Sequence, residues 1–503
     1  MSDDRFSADD RRNPEGRQRG AARAEGRTER STQAPGERRR GTDPARTVAF
    51  DVLRAVAESD SYANLVLPPL LRERAIRGRD AGFATELAYG TLRLRGRYDA
   101  IIEQAAGRAL DRIDPPVLDL LRLGSHQLLG MRVPPHAAVS ETVGLARQRA
   151  GAGAAQFVNA VLRAVGRSTL DEWLTVIGDG ADPSEDDPIA RLAVVESHPE
   201  WVVRGLRESL VGNGRSADEL EALLVADNAA PRVTLVARPG LVDDDELGGT
   251  PGVVAPTAHI LDGGDPAAVG AIRDGRAGVQ DEGSQLVALA LAAAPMDGPD
   301  ERWLDLCAGP GGKAALLAAL VDERGGRLVA NEVQPHRTRL VEQALRALPA
   351  DAIEDVRTGD GRRVGTDEPG AYDRVMVDAP CTGLGALRRR PESRWRRHPT
   401  DLAALSGLQR ELLGSALAAV RPGGVVAYVT CSPHLAETQL VVKDALRAAA
   451  KAGIGVEPID ARAVVTGIAP QPVDLPGNRT DVQLWPHVHG TDAMHLTLLR
   501  RTS

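Results

Sequence analysis

Asp305-Leu306-Cys307-Ala308-Gly309-Pro310-Gly311-Gly312-Lys313 follows an apolar run, Trp303 to Cys307, and opens a helical stretch through Leu320. A strand that breaks into a glycine-rich loop and then a helix brings backbone close to a ligand at a helix N-terminus. Glycine is needed wherever a Cβ would block that approach. A tight structural turn would use the same glycines. What favours a nucleotide-like ligand is Glu332, about twenty residues further on at the end of the next apolar run, Leu328 to Glu332, where a carboxylate can accept hydrogen bonds from ribose hydroxyls.

From about Gln280 onward, short apolar runs alternate with longer helical stretches, the pattern of a parallel sheet with crossover helices. Two further strands are expected at Arg374 to Asp378 and Val425 to Cys431. In open α/β sheets the ligand crevice lies at the carboxyl ends of the strands, so Cys307, Glu332, Asp378 and Cys431 should converge although they are scattered in the chain. The loop has neither the Walker A spacing nor Gly-x-Gly-x-x-Gly, which argues against ATP hydrolysis and nicotinamide chemistry and leaves S-adenosylmethionine as the natural candidate. Asp360, in Thr-Gly-Asp-Gly, would meet the adenine amino group if it ends a third strand; it reads equally as a turn aspartate beside glycine.

The 503 residues suggest several domains, each able to bury a core. With 62 basic against 70 acidic residues the net charge is -8, so the chain is no polycation and any nucleic-acid contact must be local. Lysine occurs only at Lys313, Lys443 and Lys451. Against that arginine-rich background the lysine closing the glycine loop stands out, because a compact ammonium and a forked guanidinium are not interchangeable in a tight site. The three cysteines fall in Asp-Leu-Cys-Ala, Asp-Ala-Pro-Cys and Thr-Cys-Ser, at predicted strand ends, and their spacing disfavours a zinc site or a disulfide framework. No signal peptide and no membrane-spanning run is visible, so a cytoplasmic protein without membrane contact is expected.

Residues 1–42, rich in Arg, Gly, Ala and acids, read as a disordered tail, either merely solvated or tethering RNA. Residues 43–167 read as an all-helical domain: Pro44 starts a helix whose Ala49, Val52, Leu53 and Val56 share one face, and the series closes at Phe157 to Arg163. Residues 168–190 turn to Asp, Gly, Pro and Ser and are expected to be a linker. Residues 191–275 read as a small α+β subdomain with helices near Trp201 and Leu220 and a strand at Val233 to Ala237, leaving 276–503 for the α/β domain.

Tyr372 to Gly383, containing Asp378-Ala379-Pro380-Cys381, and Tyr428 to Pro433, containing Thr430-Cys431-Ser432, form a specific pair. From about residue 45 to the C-terminus the chain resembles the RNA cytosine-5 methyltransferases of the RsmB (Sun/Fmu) type. That resemblance implies a NusB-like RNA-binding domain at 43–167, a small middle subdomain, and a Rossmann-like S-adenosylmethionine-dependent methyltransferase domain acting on small-subunit ribosomal RNA. It also implies Cys431 as the attacking thiol, Asp378 steadying the base, Cys381 assisting product release, and Cys307, Ala308, Gly309, Pro310, Gly311, Gly312, Lys313, Glu332, Asp360 and Asp378 around the cofactor. Cys307 is assigned no chemical step. C5 of cytosine is a poor nucleophile, so a thiolate must add to C6 before C5 can take a methyl group.

Directly after the Cys381 loop, Arg388, Arg389, Arg390, Arg394, Arg396 and Arg397 surround Trp395, a set able to hold phosphates and stack a base and expected to contact the RNA; a solvated surface helix is the alternative. Val236-Ala237-Arg238 departs from the family's usual Arg-Val-Asn, which puts RNA contacts there in doubt, and Ala493-Met494-His495 departs from a Gly and aromatic pair, with an effect expected on packing. His487, His489 and His495 are expected to be surface or packing residues, with no metal bound. Competing functions are a transfer RNA methyltransferase, an RNA-binding assembly or antitermination factor without catalysis, and a DNA methyltransferase using Cys381 as nucleophile. A monomer is expected.

Overall fold

The helical stripe at Ala49, Val52, Leu53 and Val56 is buried along the helix Pro44–Glu58, where the first-turn proline has no amide to leave unpaired. The computed structural model describes residues 43–503 except Asp60, Glu185 and the side chain of Asp244; the expected disordered tail at 1–42 lies outside the described residues. Helices Ala63–Glu73, Gly78–Arg93, Arg95–Ala106, Pro115–Leu129, Pro135–Ala150 and Ala152–Val165 close around one apolar core with the first.

The linker expected at 168–190 is corrected. Most of it is the helix Leu170–Ala181, opened by a capping box in which Thr169 and Glu172 each bond the other's backbone amide. Leu170, Trp173, Leu174 and Ile177 follow helical spacing, and Ile177 packs into the helical core while the Trp173 indole donates to the Val165 carbonyl at 2.9 Å. Polar residues that mark a loop from composition act here as helix caps.

Next come helices Glu200–Gly212 and Leu220–Asn228 and a small antiparallel sheet of β1 (Thr234–Ala237), β2 (Thr250–Pro251), β3 (Ala258–Ile260) and β4 (Ala277–Val279) in the order β2-β3-β1-β4. Because β4 pairs with β1, Leu235 opposite Val279, the small sheet reaches past the boundary expected at 275. Arg238 is turned inward, donating to the Gly275 and Ala344 carbonyls.

The main sheet holds β5 (Arg302–Asp305), β6 (Arg327–Glu332), β7 (Ile353–Thr358), β8 (Tyr372–Asp378), β9 (Val420–Thr430), β10 (Val456–Ile459), β11 (Val482–Gln483) and β12 (His495–Arg501). Its order is β10-β12-β9-β8-β5-β6-β7, with β11 paired to β12. The five strands β5 to β9 run parallel; β12 runs antiparallel between β9 and β10. Alternate side chains leave the sheet on opposite faces: Met376 and Ala427 join the core beneath helices Glu282–Ala293 and Gly312–Asp322, whereas Val375, Val377, Val426 and Tyr428 join that beneath helix Pro399–Ala419. This doubly covered sheet, following an all-helical domain, is the α/β Rossmann-like architecture expected. Among the described residues no helix is long and apolar enough to cross a membrane.

Candidate active site

Parallel pairing places the carboxyl ends of β5, β6, β8 and β9 side by side, with Asp305 opposite Met376 and Ala330, and Asp378 opposite Val429. Between β5 and helix Gly312–Asp322 the loop folds back so that Leu306 N donates to Met376 O and Ala308 N to Asn331 O, both at 2.9 Å. Two glycines are required here. At Gly309 a Cβ would lie 2.1 Å from Glu332 Oε2, and Gly311 has φ +109 with a Cβ position 2.5 Å from the Ala344 methyl. Gly311→Ala is therefore expected to lower stability by roughly 1–3 kcal/mol, the usual scale for a side chain forced into such backbone geometry, as read by denaturant titration.

Glu332, at the end of β6, is nearly buried; it accepts from Gly309 N at 3.1 Å and Gln334 N at 2.9 Å, and Arg337 pairs with it at 3.3 Å. Lys313 Nζ donates to Asp378 Oδ2 at 2.9 Å. Burial lowers the Lys313 pKa, but Asp378 outweighs it and the net shift is upward. Asp305 was passed over in the sequence although it opens the loop. It is 1 % exposed, and burial, reinforced by Asp378 and opposed by Lys313 and the Cys307 backbone amide, pushes its pKa up to about 7. Asp360 lies two residues beyond β7, where it caps the following turn through Arg362 N at 3.0 Å and pairs with the Arg362 guanidinium, which lowers its pKa. Both of its sequence readings remain geometrically open. This set fits S-adenosylmethionine: the glycines admit a ligand to the backbone, a carboxylate closes β6, and the buried carboxyl of Asp305 beside the Asp378 charge suits a ligand that carries positive charge.

Cys381 and Cys431 lie with their Sγ atoms 3.4 Å apart. The Cys431 pKa falls below the ordinary thiol value because it accepts the Cys381 hydrogen bond; burial and Asp378 oppose this, and Lys313 and Arg390 add to it. Cys381 is pushed well up, first by that same bond and then by burial and Glu437. Of the two sulfurs, Cys431 is thus the one whose surroundings favour the thiolate. Burial also raises Cys307 far above the thiol range, leaving it no nucleophilic character.

The loop carrying Cys381 is held by groups the sequence did not single out. Fully buried Glu437 accepts from Thr382 N at 2.8 Å, from the Thr382 hydroxyl, and from Gln409 Nε2 at 3.2 Å. Gln409 also donates to Pro380 O at 2.8 Å, and the Thr382 and Ser432 hydroxyls meet at 3.1 Å. A lone acid between Thr-Cys-Ser and the helix Gln439–Lys451 was the available signal. Gly385 N donates to Cys431 O, and Ala493 N to Gly385 O, so the divergent triplet Ala493-Met494-His495 touches this loop through its backbone. His495 is fully buried in β12, the His489 ring accepts from Trp485 N at 2.9 Å, and His487 meets Glu219 at 2.9 Å.

The arginine-rich segment is corrected at most of its positions. Arg388 and Arg389 pair with Asp281 and Asp492. Fully buried Arg394 donates to Arg93 O, Ser197 O, Asn228 Oδ1 and Asp227 O at 2.8–3.3 Å. Trp395 packs over Gly96 with Arg95 5.8 Å from its ring, and Arg396 donates to Val56 O and Ser61 O. Carbonyls from distant parts of the chain have taken the donors that a free patch would offer to phosphate. Arg390 is exposed and Arg397 half-exposed, and Arg390 is also the one that acts on Cys431.

Residues 290–500 match the family described as 16S rRNA methyltransferase RsmB/F, and residues 43–167 match the NusB family. The "Putative methyltransferase Rv1407" of Mycobacterium tuberculosis is 52% identical over 470 residues, 93% of this chain and 98% of that protein. The ribosomal RNA small subunit methyltransferase B of Escherichia coli is 30% identical over 450 residues, 86% of this chain and 95% of that one. The crystal structure of PH0851 superposes with a TM-score of 0.72 at 20% identity, covering 91% of this chain and 98% of that one, a likeness of fold. By motif, architecture and end-to-end similarity the chain belongs to the RsmB/F family of ribosomal RNA methyltransferases, S-adenosylmethionine-dependent enzymes that act on RNA.

Proposed function

We propose that this protein methylates C5 of a cytidine in small-subunit (16S) ribosomal RNA, acting as a monomer in the cytoplasm, and that Cys431 forms a transient bond to C6 of the base. The observation that carries this reading is the thiol pair: two sulfurs 3.4 Å apart, beside the Lys313–Asp378 ion pair. In the proposed mechanism the Cys431 thiolate adds to C6, and the electrons of the C5–C6 double bond make C5 nucleophilic. Asp378, held by Lys313, steadies the nitrogen edge of the ring as charge shifts, and Cys381 assists release of the product, in which the C5 proton is lost and the Cys431 Sγ–C6 bond breaks to restore the C5–C6 double bond and the thiolate. Bound S-adenosylmethionine supplies an electrophilic methyl group on its sulfonium. For its binding we assign the loop Cys307 to Lys313, with Glu332 toward the ribose, Asp360 toward the adenine, and Asp378 at the methyl end.

For RNA we retain Arg390 and Arg397, the members of the arginine segment left open to a phosphate. Because Arg390 helps lower the Cys431 pKa, Arg390→Ala is expected to move the pH profile of Cys431 alkylation toward higher pH, since the thiolate loses a stabilising charge. A profile that stays in place would remove Arg390 from the thiol's surroundings.

The deciding experiment is transfer of labelled methyl groups from S-adenosylmethionine to unmodified small-subunit ribosomal RNA, followed by digestion to nucleosides. Label in 5-methylcytidine supports the proposal. Label appearing only on transfer RNA would change the substrate, and cofactor binding without transfer to either RNA would favour an assembly factor.

A further inference from the structure

The paired thiols pose a problem of symmetry. Two sulfurs 3.4 Å apart can hydrogen-bond in either direction, and once the pair has lost one proton a given sulfur is the nucleophile only if the remaining proton sits on the other. Cys431 faces Cys381, Asp378, Lys313 and Arg390, where the two cations work against the Asp378 charge. Cys381 faces Cys431 and Glu437, with the Tyr428 phenol close by. Glu437 is thus the carboxylate on the Cys381 side, and it is fixed there. It receives the backbone amide and the hydroxyl of Thr382, the residue next to Cys381, together with the Gln409 amide; His434 lies near it, and Tyr428 OH donates to its backbone carbonyl. With no exposed surface, the carboxylate cannot swing away into water, so its field on Cys381 is little screened.

We propose that Glu437 is a positioning residue for the thiol pair: its carboxylate, anchored on Thr382, makes Cys381 the hydrogen donor and Cys431 the acceptor. No bond is made or broken by Glu437 itself. Its charge disfavours a thiolate at Cys381, and the resulting Cys381 Sγ–H bond leaves the lone pair of Cys431 as the reactive one. The inference rests on the reading of Cys431 as nucleophile and adds what selects it over its neighbour.

The test uses the full chain without RNA or cofactor, so it stands apart from whether cytidine C5 is the methylation site. Limiting iodoacetamide is added near neutral pH and the alkylated cysteines are mapped by mass spectrometry. The wild type should be labelled chiefly on Cys431. Glu437→Gln retains an acceptor for Thr382 but has no charge, and the ratio of Cys431 to Cys381 label should fall by roughly tenfold, the effect of one unit of relative proton affinity. Glu437→Asp, which keeps the charge, should restore most of the preference. An unchanged ratio in Glu437→Gln overturns the proposal. Should that variant not fold, Thr382→Val provides the answer, because it loosens the loop but leaves the Glu437 charge. Retained preference for Cys431 supports the proposal, and lost preference means loop geometry alone decides. In methyl transfer Glu437→Gln should lower kcat with little change in KM for RNA, the sign of an effect on reactivity rather than on binding.

Discussion

Cys431→Ala is expected to abolish methyl transfer, lowering the rate by roughly 10⁴-fold or more, the scale on which loss of a nucleophile acts. Cys381→Ala should behave differently: addition to C6 remains possible, release of the methylated product slows, and a protein–RNA band resistant to denaturant should accumulate on gels. The asymmetry follows from the position of the proton. Cys381 is pushed well above the ordinary thiol value by its bond to Cys431, by burial and by Glu437, whereas Cys431 is lowered by that same bond with help from Lys313 and Arg390. The thiolate, not the thiol, attacks, so the sulfur with the lower pKa is the better nucleophile. Cys381→Ala also removes the hydrogen bond that stabilises the Cys431 thiolate, so the rate of adduct formation in that variant should shift to higher pH. The reverse pattern, an inactive Cys381→Ala beside an active Cys431→Ala, would make Cys381 the nucleophile and discard the assignment of roles made here.

What the sequence made legible was what chemistry demands of short stretches. A strand, a glycine loop and a lysine in nine consecutive residues led to Lys313, and the two Cys motifs led to a thiol pair separated by 50 residues in the chain yet 3.4 Å apart in space. Those motifs carry their own geometry, because strand ends and parallel pairing bring them together once the sheet forms. The parts that were misread depend on partners far away. Arg394 looks like any arginine in a basic segment until the carbonyls of Arg93, Ser197 and Asp227 are in place. Glu437 follows the Thr-Cys-Ser motif by only a few residues, but its meaning comes from Thr382 and Gln409, which lie on other elements. At 168–190, composition pointed to a loop while the spacing of Leu170, Trp173, Leu174 and Ile177 pointed to a helix, and buried apolar contact outweighed the loop-forming tendency of the flanking residues.

Arg394→Ala is expected to destabilise the protein by about 3–5 kcal/mol, the range for removing one partner from a buried charged network. The guanidinium is fully buried and supplies donors to Arg93 in the helical domain and to Ser197, Asp227 and Asn228 in the middle segment, so its loss leaves several buried acceptors unmatched at the seam between three parts of the chain. Lysine should rescue poorly, because a point charge cannot reach acceptors spread over a guanidinium's edges. The loss should also depend on pH in a definite direction. Burial pushes Asp227 up to about 7 against the pull of Arg394, so this carboxyl's contribution is complete below its unfolded pKa near 3.8 and disappears as pH rises through about 7. Without Arg394 the folded-state value rises further and the charged form is penalised more, so the variant's deficit in urea unfolding should be larger at pH 8 than at pH 6. Had Arg394 instead served to hold RNA phosphate, the same substitution would weaken RNA binding, flatten its salt dependence and leave the unfolding midpoint where it was. The two outcomes separate a residue that builds the platform carrying Cys381 from one that touches the substrate.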